Sequence, residues 1–537
     1  MSYIDMAVLL IYFGAMASLG PYFARKSKTT EGYFLGDRSF PGWLVGFSMF
    51  ATSISSMTFM AYPGDAYKTA YLRMVPNLTL PIIVLMASRL FLPFFRRGKI
   101  TSAYEYLEGR FGPNVRLYAA SAFIIGQVIR ISMILFLVSQ LVKEVTGLAP
   151  IYSVVVGGGV TAMYTISGGI RAVLWTDFIQ AMVLWFGGIV CIFAIAIQLG
   201  GPFEGLGVII TEGWEAGKFA IAEYTDGVPK AVPLVVGEAT GTRFGFLDTI
   251  GLTQKTVLLM LLLGMGNWVY EYTGNQNVIQ RYAAAKSPKD ARIALWICCW
   301  FSVPTWGLFM FIGTALYVFY QHAPTPESIA MLDGTAKAEG ILPYFVVNEL
   351  PAGVSGLVIA AVLSAAMSSI SSSINGVSAV GIVDIYRRRM VTDREDRHYL
   401  VVARMIGIVQ AVIMIVGAMI LVTVETKTLQ DTATIITSLT AGGLAGVYLL
   451  GFLTTRCDGR AVFVAIGCTL SYTLWMTLTS MNILPEAIQA PIDTYYAGLL
   501  GHIMLFMIGY VVGLIWSRKK AVPANLSVWT QDGTPMD

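Results

Sequence analysis

The chain is 537 residues long, 56% hydrophobic and only 13% charged, with a formal net charge of +4. A soluble domain carries about a quarter charged residues, so this composition excludes an ordinary water-soluble protein and points to a polytopic membrane protein. Its five cysteines and three histidines fall in no ligand-like spacing, so neither a disulfide framework, a metalloenzyme nor a nucleic-acid binder is expected.

Apolar runs of about 20 residues are expected to span a bilayer as helices, and about thirteen follow one another here. They lie at 4–24, 43–66, 74–95, 116–142, 149–168, 174–200, 250–278, 292–320, 352–384, 398–424, 432–454, 461–482 and 495–516. The first run carries Asp5 and no basic flank before it, so it reads as a retained helix and not as a cleaved leader. Basic residues then recur after alternate runs. Arg25, Lys26, Lys28 and Arg38 follow the first, and Arg96, Arg97, Lys99 and Arg110 the third. Arg171 follows the fifth, and Arg281, Lys286, Lys289 and Arg292 the seventh. Arg387, Arg388 and Arg389 follow the ninth, Arg456 and Arg460 the eleventh, and Arg518, Lys519 and Lys520 the last. The positive-inside rule then places the N-terminus outside and the C-terminus inside.

Between the runs, residues 201–249 are acidic and read as a surface loop, with a cover over an outer vestibule as the alternative. Residues 326–350 are expected to hold a short extracellular helix, and 521–537 a flexible tail. Two runs are rich in helix-interrupting residues. The second holds Thr52, Ser53, Ser55, Ser56 and Thr58, then Pro63 and Gly64. The seventh holds Gly264, Gly266 and Asn267, then Gly274 and Asn275. They lie five runs apart, as in transporters built from inverted repeats. A five-plus-five repeat gives one transmembrane transporter domain over 1–537: an extra helix at 4–24, a first repeat at 43–200, a second at 250–454 and two further helices at 461–516.

The ninth run carries a serine ladder. Ser368, Ser371, Ser372 and Asn375 share one helical face, with Ser369 and Ser373 beside it. Small hydroxyls pack membrane helices closely, but this density also offers neutral oxygens to a hard monovalent cation. A broken helix over Ala51–Thr58 would add free carbonyls and hydroxyls. Asp177, near the cytoplasmic end of the sixth run, would supply the ladder's missing negative charge, or simply reach water. Arg130 lies about 20 Å from either end of the fourth run, beyond snorkelling reach. It is suited to a carboxylate substrate, or to a structural ion pair for which Glu271 is the candidate partner.

The stretches GGIRAVLWTDFIQ and AAMSSISSSIN followed by DIY resemble the sodium/solute symporter family, over nearly the whole chain. Within that family, FATSISSMTFM, ITSAYEYLEGRF and NQNVIQRY look most like the bacterial sodium-coupled sialic acid transporters. The resemblance implies the leucine-transporter-like fold. It implies a first Na+ site at Ala51, Ile54, Ala365, Ser368 and Ser369, and a second at Asp177, Ser368, Ser371 and Ser372. It implies substrate contacts at Ser55, Ser56, Thr58 and Arg130, with Asn77 where that branch has glutamine. Arg73 and Glu271 have no counterpart in it. The expected function is Na+-coupled uptake of a small organic anion, sialic acid or a related sugar acid, by a monomer in a bacterial inner membrane. Two coupling ions are expected. A symporter of a neutral sugar, an amino acid or another monocarboxylate is the alternative. No enzymatic activity is expected, because the ladder has no His or Lys nearby in sequence to act as a base.

Overall fold

The structure, a computed structural model, describes residues 2–97, 100–225, 228–232, 256–422, 443–516 and 522–530. Helix α1 (Tyr3–Ala24) starts at a capping box in which Ser2 and Asp5 satisfy each other's backbone N–H. The Asp5 carboxylate also accepts the N–H groups of Gly353 at 2.7 Å and Gly356 at 2.9 Å. A carboxylate there neutralises the positive end of the helix that starts at Val354 and pins α1 beside it.

Helices α2 (Gly42–Ser53) and α3 (Ser56–Lys68) form one span bent by 55°. Ile54 and Ser55 are extended at the break. The side chains of Thr52 and Ser53 bond back to the carbonyls of Ser48 and Met49, which weakens the last turn of α2. Span α4 (Tyr71–Arg96) begins with tight 3-10 turns around Pro76 and relaxes through a π-helical turn at Ala87–Phe91. Helix α5 (Pro113–Thr146) has proline in its first turn and ends at left-handed Gly147.

The runs expected at 149–168 and 174–200 are the two arms of α6 (Pro150–Gln198), which breaks between them. It is kinked at Gly169, whose φ of 61° a side chain would resist. The turn read at Arg171 is that kink, and Arg171 instead reaches back to Gly36 and Asp37.

The second broken span is α7 (Val257–Thr273) and α8 (Gln276–Ala284), interrupted at Gly274 and Asn275. Then come α9 (Pro288–His322), the short helices Pro326–Asp333 and Ile341–Asn348, and α10 (Val354–Met390). Helices α11 (Asp396–Val422), α12 (Leu444–Leu453), α13 (Gly459–Ser480) and α14 (Ala497–Trp516) complete the chain. Among the described residues nine helices are long and apolar enough to cross a membrane, or ten with α2–α3 counted as one span. Parts of the runs expected at 250–278, 398–424 and 432–454 lie outside the described residues.

Helix α10 is the axis of the bundle. It packs against α6, α5, α1, α11 and the α2–α3 span, and 89% of its apolar window is buried. Where α7 crosses α4, a β-carbon on Gly264 would lie 2.1 Å from the Pro76 carbonyl oxygen, so glycine alone permits that approach.

Three expectations change. The described part of the 201–249 segment is ordered, with a helix at Glu204–Glu215 and an antiparallel ribbon pairing Ala222–Thr225 with Val228–Ala231. The all-α architecture therefore carries one small two-stranded ribbon. Between helix and ribbon, Lys218 is fully buried and donates to the carbonyls of Tyr67 and Thr69 at the end of α3. Near the C-terminus, residues 522–530 pack on the bundle. Tyr106 donates to the Leu526 carbonyl, and the Trp529 indole N–H to the Leu453 carbonyl. The remainder of the tail, from 531, lies outside the described residues. Finally, several residues read as loop charges are buried staples. Arg96 donates to the carbonyls of Tyr282, Ala283 and Ala285 at the end of α8, and Arg110 to those of Thr454 and Cys457.

Candidate functional site

The break between α2 and α3 faces the middle of α10. The Ser368 hydroxyl donates to the Ala51 carbonyl at 2.8 Å and lies 3.0 Å from the Ala365 carbonyl. Ser369 Oγ lies 3.4 Å from that same carbonyl, and Ile54 is buried at the break. The five residues expected at a first ion site thus sit on the two facing elements, with Ser368 Oγ within hydrogen-bond range of both the Ala51 and Ala365 carbonyls and Ser369 Oγ within range of the latter. A desolvated Na+ needs this donor set: several hard oxygens carrying no more than a small net charge.

About one turn deeper lies the second cluster. Asp177, on α6, is completely buried. Its Oδ1 accepts from Ser371 Oγ at 3.4 Å, while Oδ2 accepts from Ser48 Oγ of α2. Ser372 Oγ is 2.9 Å from Thr52 Oγ1. The two clusters touch, because Ser371 Oγ also donates to the Ser368 carbonyl at 3.0 Å. Asp177 is therefore no boundary residue reaching for water.

Arg281, expected among the basic loop residues that follow the seventh run, is instead a buried helical residue. It is 1% exposed and forms an ion pair with Asp177, Nη2 to Oδ2, at 2.8 Å. Nη2 also donates to Ser372 Oγ at 2.6 Å, Nε to Ser48 Oγ at 2.8 Å, and Nη1 to the Asn277 carbonyl at 2.6 Å. All nine residues of α8 are buried, so the seventh run does not end in a loop at Arg281. The signal was present in the polar set Asn277, Gln280 and Arg281, which repeats at three- and four-residue spacing. A loop has no such period.

The residues expected to meet substrate are more dispersed. Ser55, Ser56 and Thr58 occupy the first turn of α3 and its flank. Ser56 is fully buried, and its hydroxyl has no hydrogen-bond partner among the described residues. Asn77, on α4, donates to the Tyr62 hydroxyl at 2.8 Å. Arg130 is half-buried midway along α5, within electrostatic reach of the Tyr270 hydroxyl. Among the described residues it has no hydrogen-bond or ion-pair partner. Glu271 makes no ion pair with Arg130 among the described residues; its carboxylate accepts from Asn275 Nδ2 at 2.8 Å across the α7–α8 break. Arg73, in the first turn of α4, pairs with Asp65 near the end of α3 at 3.2 Å.

The pattern that describes the sodium:solute symporter family matches residues 33–466. The chain belongs to that family. It is 30% identical over 519 residues to the sodium/sialic acid symporter SiaT of Proteus mirabilis, covering 96% of both chains. It is 27% identical to the sodium/sialic acid symporter NanT of Aliivibrio fischeri, covering 96% of this chain and 94% of that one. A sodium/glucose cotransporter of Vibrio parahaemolyticus is 25% identical, over 90% and 86%. Among solved structures, a substrate-bound, outward-open Na+-coupled sialic acid symporter superimposes with a TM-score of 0.82 at 29% identity, covering 97% of this chain and 99% of that one. The closed form of Mhp1, a nucleobase-cation-symport-1 family transporter, shares the fold at 14% identity and a TM-score of 0.53. The apolar helices and the bacterial relatives make this family member a multi-pass protein of the bacterial inner membrane.

Proposed function

We propose that the chain is a secondary active symporter coupling the inward flow of two Na+ ions to uptake of sialic acid or a related sugar acid. One observation carries the reading: neutral oxygens of a broken helix and of a serine-rich helix converge on each other beside a buried carboxylate. The 30% identity to a sodium/sialic acid symporter along 96% of the chain supports the substrate class. A first ion would replace the hydrogen bonds among Ala51, Ala365 and Ser368. Ile54 and Ser369 would complete its shell. A second ion would lie by Asp177, Ser371 and Ser372, sharing Ser368 with the first. Arg130, free of ion pairs among the described residues, would take the substrate carboxylate. Ser55, Ser56, Thr58 and Asn77 would hydrogen-bond the rest of the molecule.

With two Na+ and one monocarboxylate, each cycle moves about one net positive charge inward, worth roughly 2.3 kcal/mol per 100 mV of membrane potential. The ions would stabilise the outward-facing state and complete the pocket, so that coupling is a shift of populations with no covalent step. We place the chain in the membrane as thirteen spans in a five-plus-five inverted repeat, N-terminus outside and C-terminus inside, working as a monomer. The basic residues that are exposed at the ends of alternate runs, among them Arg25, Lys26, Lys28, Lys286, Arg387, Arg388 and Arg389, support this orientation.

Uptake of radiolabelled sialic acid into proteoliposomes tests the proposal. An imposed Na+ gradient should drive it, and K+ or choline should not. Uptake driven equally well by protons alone would overturn it. The 25% identity to a sodium/glucose cotransporter keeps a neutral sugar as the second reading, and competition by glucose but not by sugar acids would favour it.

A further inference from the structure

We infer that Arg281 is a tethered cation that occupies the seat of the second sodium ion and must be displaced from it when that ion loads. The inference rests on the second ion site proposed above.

The geometry is that of a substitute ion. One nitrogen, Nη2, touches both Asp177 Oδ2 at 2.8 Å and Ser372 Oγ at 2.6 Å. These are two of the groups a second sodium would bridge. Guanidinium and sodium each carry one positive charge, and Asp177 is the acid in salt-bridge range of Arg281 among the described residues. With Arg281 in place the buried cluster is neutral. Adding Na+ beside it leaves an excess positive charge away from water, which is costly at low dielectric. Exchange of one cation for the other keeps the cluster neutral.

The structure also holds a place for the displaced group. Asn277 Oδ1, one helical turn before Arg281 on α8, is a buried acceptor with no hydrogen-bond partner among the described residues. A guanidinium that lets go of Asp177 can take it while Nη1 keeps the Asn277 carbonyl.

Displacement has a mechanical meaning. Through Arg281, α8 is tied to α2 at Ser48, to α6 at Asp177 and to α10 at Ser372. Loading the second ion would untie α8, the inner half of a broken span, from three partners at once. Arg281 is thus a positioning residue that converts ion occupancy into freedom of α8.

The experiment is a Na+ titration of the purified full-length protein without substrate, read by thermal melting at constant ionic strength with choline as the balancing cation. Arg281→Gln removes the competitor, so its half-saturating Na+ concentration should fall on the order of tenfold below wild type. Arg281→Lys, which keeps a cation, should lie between them. A midpoint in Arg281→Gln equal to or higher than wild type overturns the inference and makes Arg281 a scaffold for Asp177. If Arg281→Gln does not fold, wild-type protein with guanidino-15N arginine gives the same answer by infrared difference spectroscopy. Replacing choline with Na+ should shift a guanidinium band, and Asp177→Asn should abolish that shift. No Na+-induced guanidinium shift overturns the inference. An unchanged Na+ cooperativity in Asp177→Asn shows instead that the second ion site itself is wrong, and the inference falls with it.

Discussion

The Ser368 hydroxyl reaches 2.8 Å across to the Ala51 carbonyl, joining the middle of α10 to the break between α2 and α3. A hydrogen bond of this kind contributes about 0.5–1.5 kcal/mol, and an ion replacing it would gain both oxygens as ligands. Ser368→Ala should therefore raise the Na+ concentration for half-maximal uptake by roughly tenfold. A Na+ activation curve in proteoliposomes measures this. An unchanged midpoint would make the hydroxyl a packing group.

Asp177→Asn should have two effects. The first is a Hill coefficient for Na+ that falls from near two toward one, with transport retained, because the first ion site lacks this carboxylate. The second follows from the Arg281 pair, since breaking one partner of a buried ion pair costs about 3–5 kcal/mol. The melting temperature in the absence of Na+ should drop. A variant with unchanged cooperativity and an unchanged melting temperature would contradict both.

Arg130→Ala should weaken binding of the acid substrate by about 30-fold to several thousand-fold, the cost of losing a charge-assisted pair in a desolvated site. Arg130→Lys should recover little, because an ammonium lacks the planar fork. Calorimetric titration in saturating Na+ measures it. An esterified analogue should bind wild type poorly and lose little more in the variant.

How much of this was legible in the chain depends on whether a pattern is local. The apolar runs and the two broken spans were readable, because hydrophobic length and helix interruption are written in consecutive residues. The serine ladder was readable for the same reason, and its oxygens do meet the α2–α3 break. What sequence could not supply was partnership across the bundle. Arg281 looked like a loop charge because the rule that orients membrane proteins counts arginines near helix ends. Nothing adjacent to it announces Asp177, 104 positions away. Glu271, an acid in the interrupted seventh run, reads as a candidate partner for Arg130, yet its carboxylate accepts from Asn275, four residues along. The tail from 522 lacked periodicity, and its order comes from carbonyls at 453 and hydroxyls at 106 and 530.

Gly264→Val should prevent the close crossing of α7 over α4, since its β-carbon would fall 2.1 Å from the Pro76 carbonyl oxygen. Overpacking of this kind costs about 1–3 kcal/mol or more. Lower yield of monodisperse protein and a lower melting temperature are expected. Gly307→Ala is the control, because nothing lies near that position.

Lys218 predicts a pH dependence of stability. Burial pushes its ammonium down from 10.5 to about 7, and the nearby Asp65 charge opposes this only in part. In the unfolded chain the amine still binds its proton up to its ordinary value. Between about pH 7 and 10 the unfolded state therefore holds more protons, and stability rises with pH. Below pH 7 the penalty is fully present. The difference in melting temperature between wild type and Lys218→Met should shift in favour of wild type as pH rises from 7 to 9.5. A pH-independent difference would mean the amine stays charged throughout, held by the Tyr67 and Thr69 carbonyls.

With 89% of its apolar window inside the bundle, α10 is nearly screened from lipid. A thiol placed along it can be reached by a charged, water-borne reagent only if solvent itself penetrates to that depth. Labelling rates at positions 364, 368, 372 and 375 would then trace, turn by turn, how far the outer and inner waters extend in each ionic condition. The helix that holds the candidate ions is thus also a dipstick for the route by which they come and go.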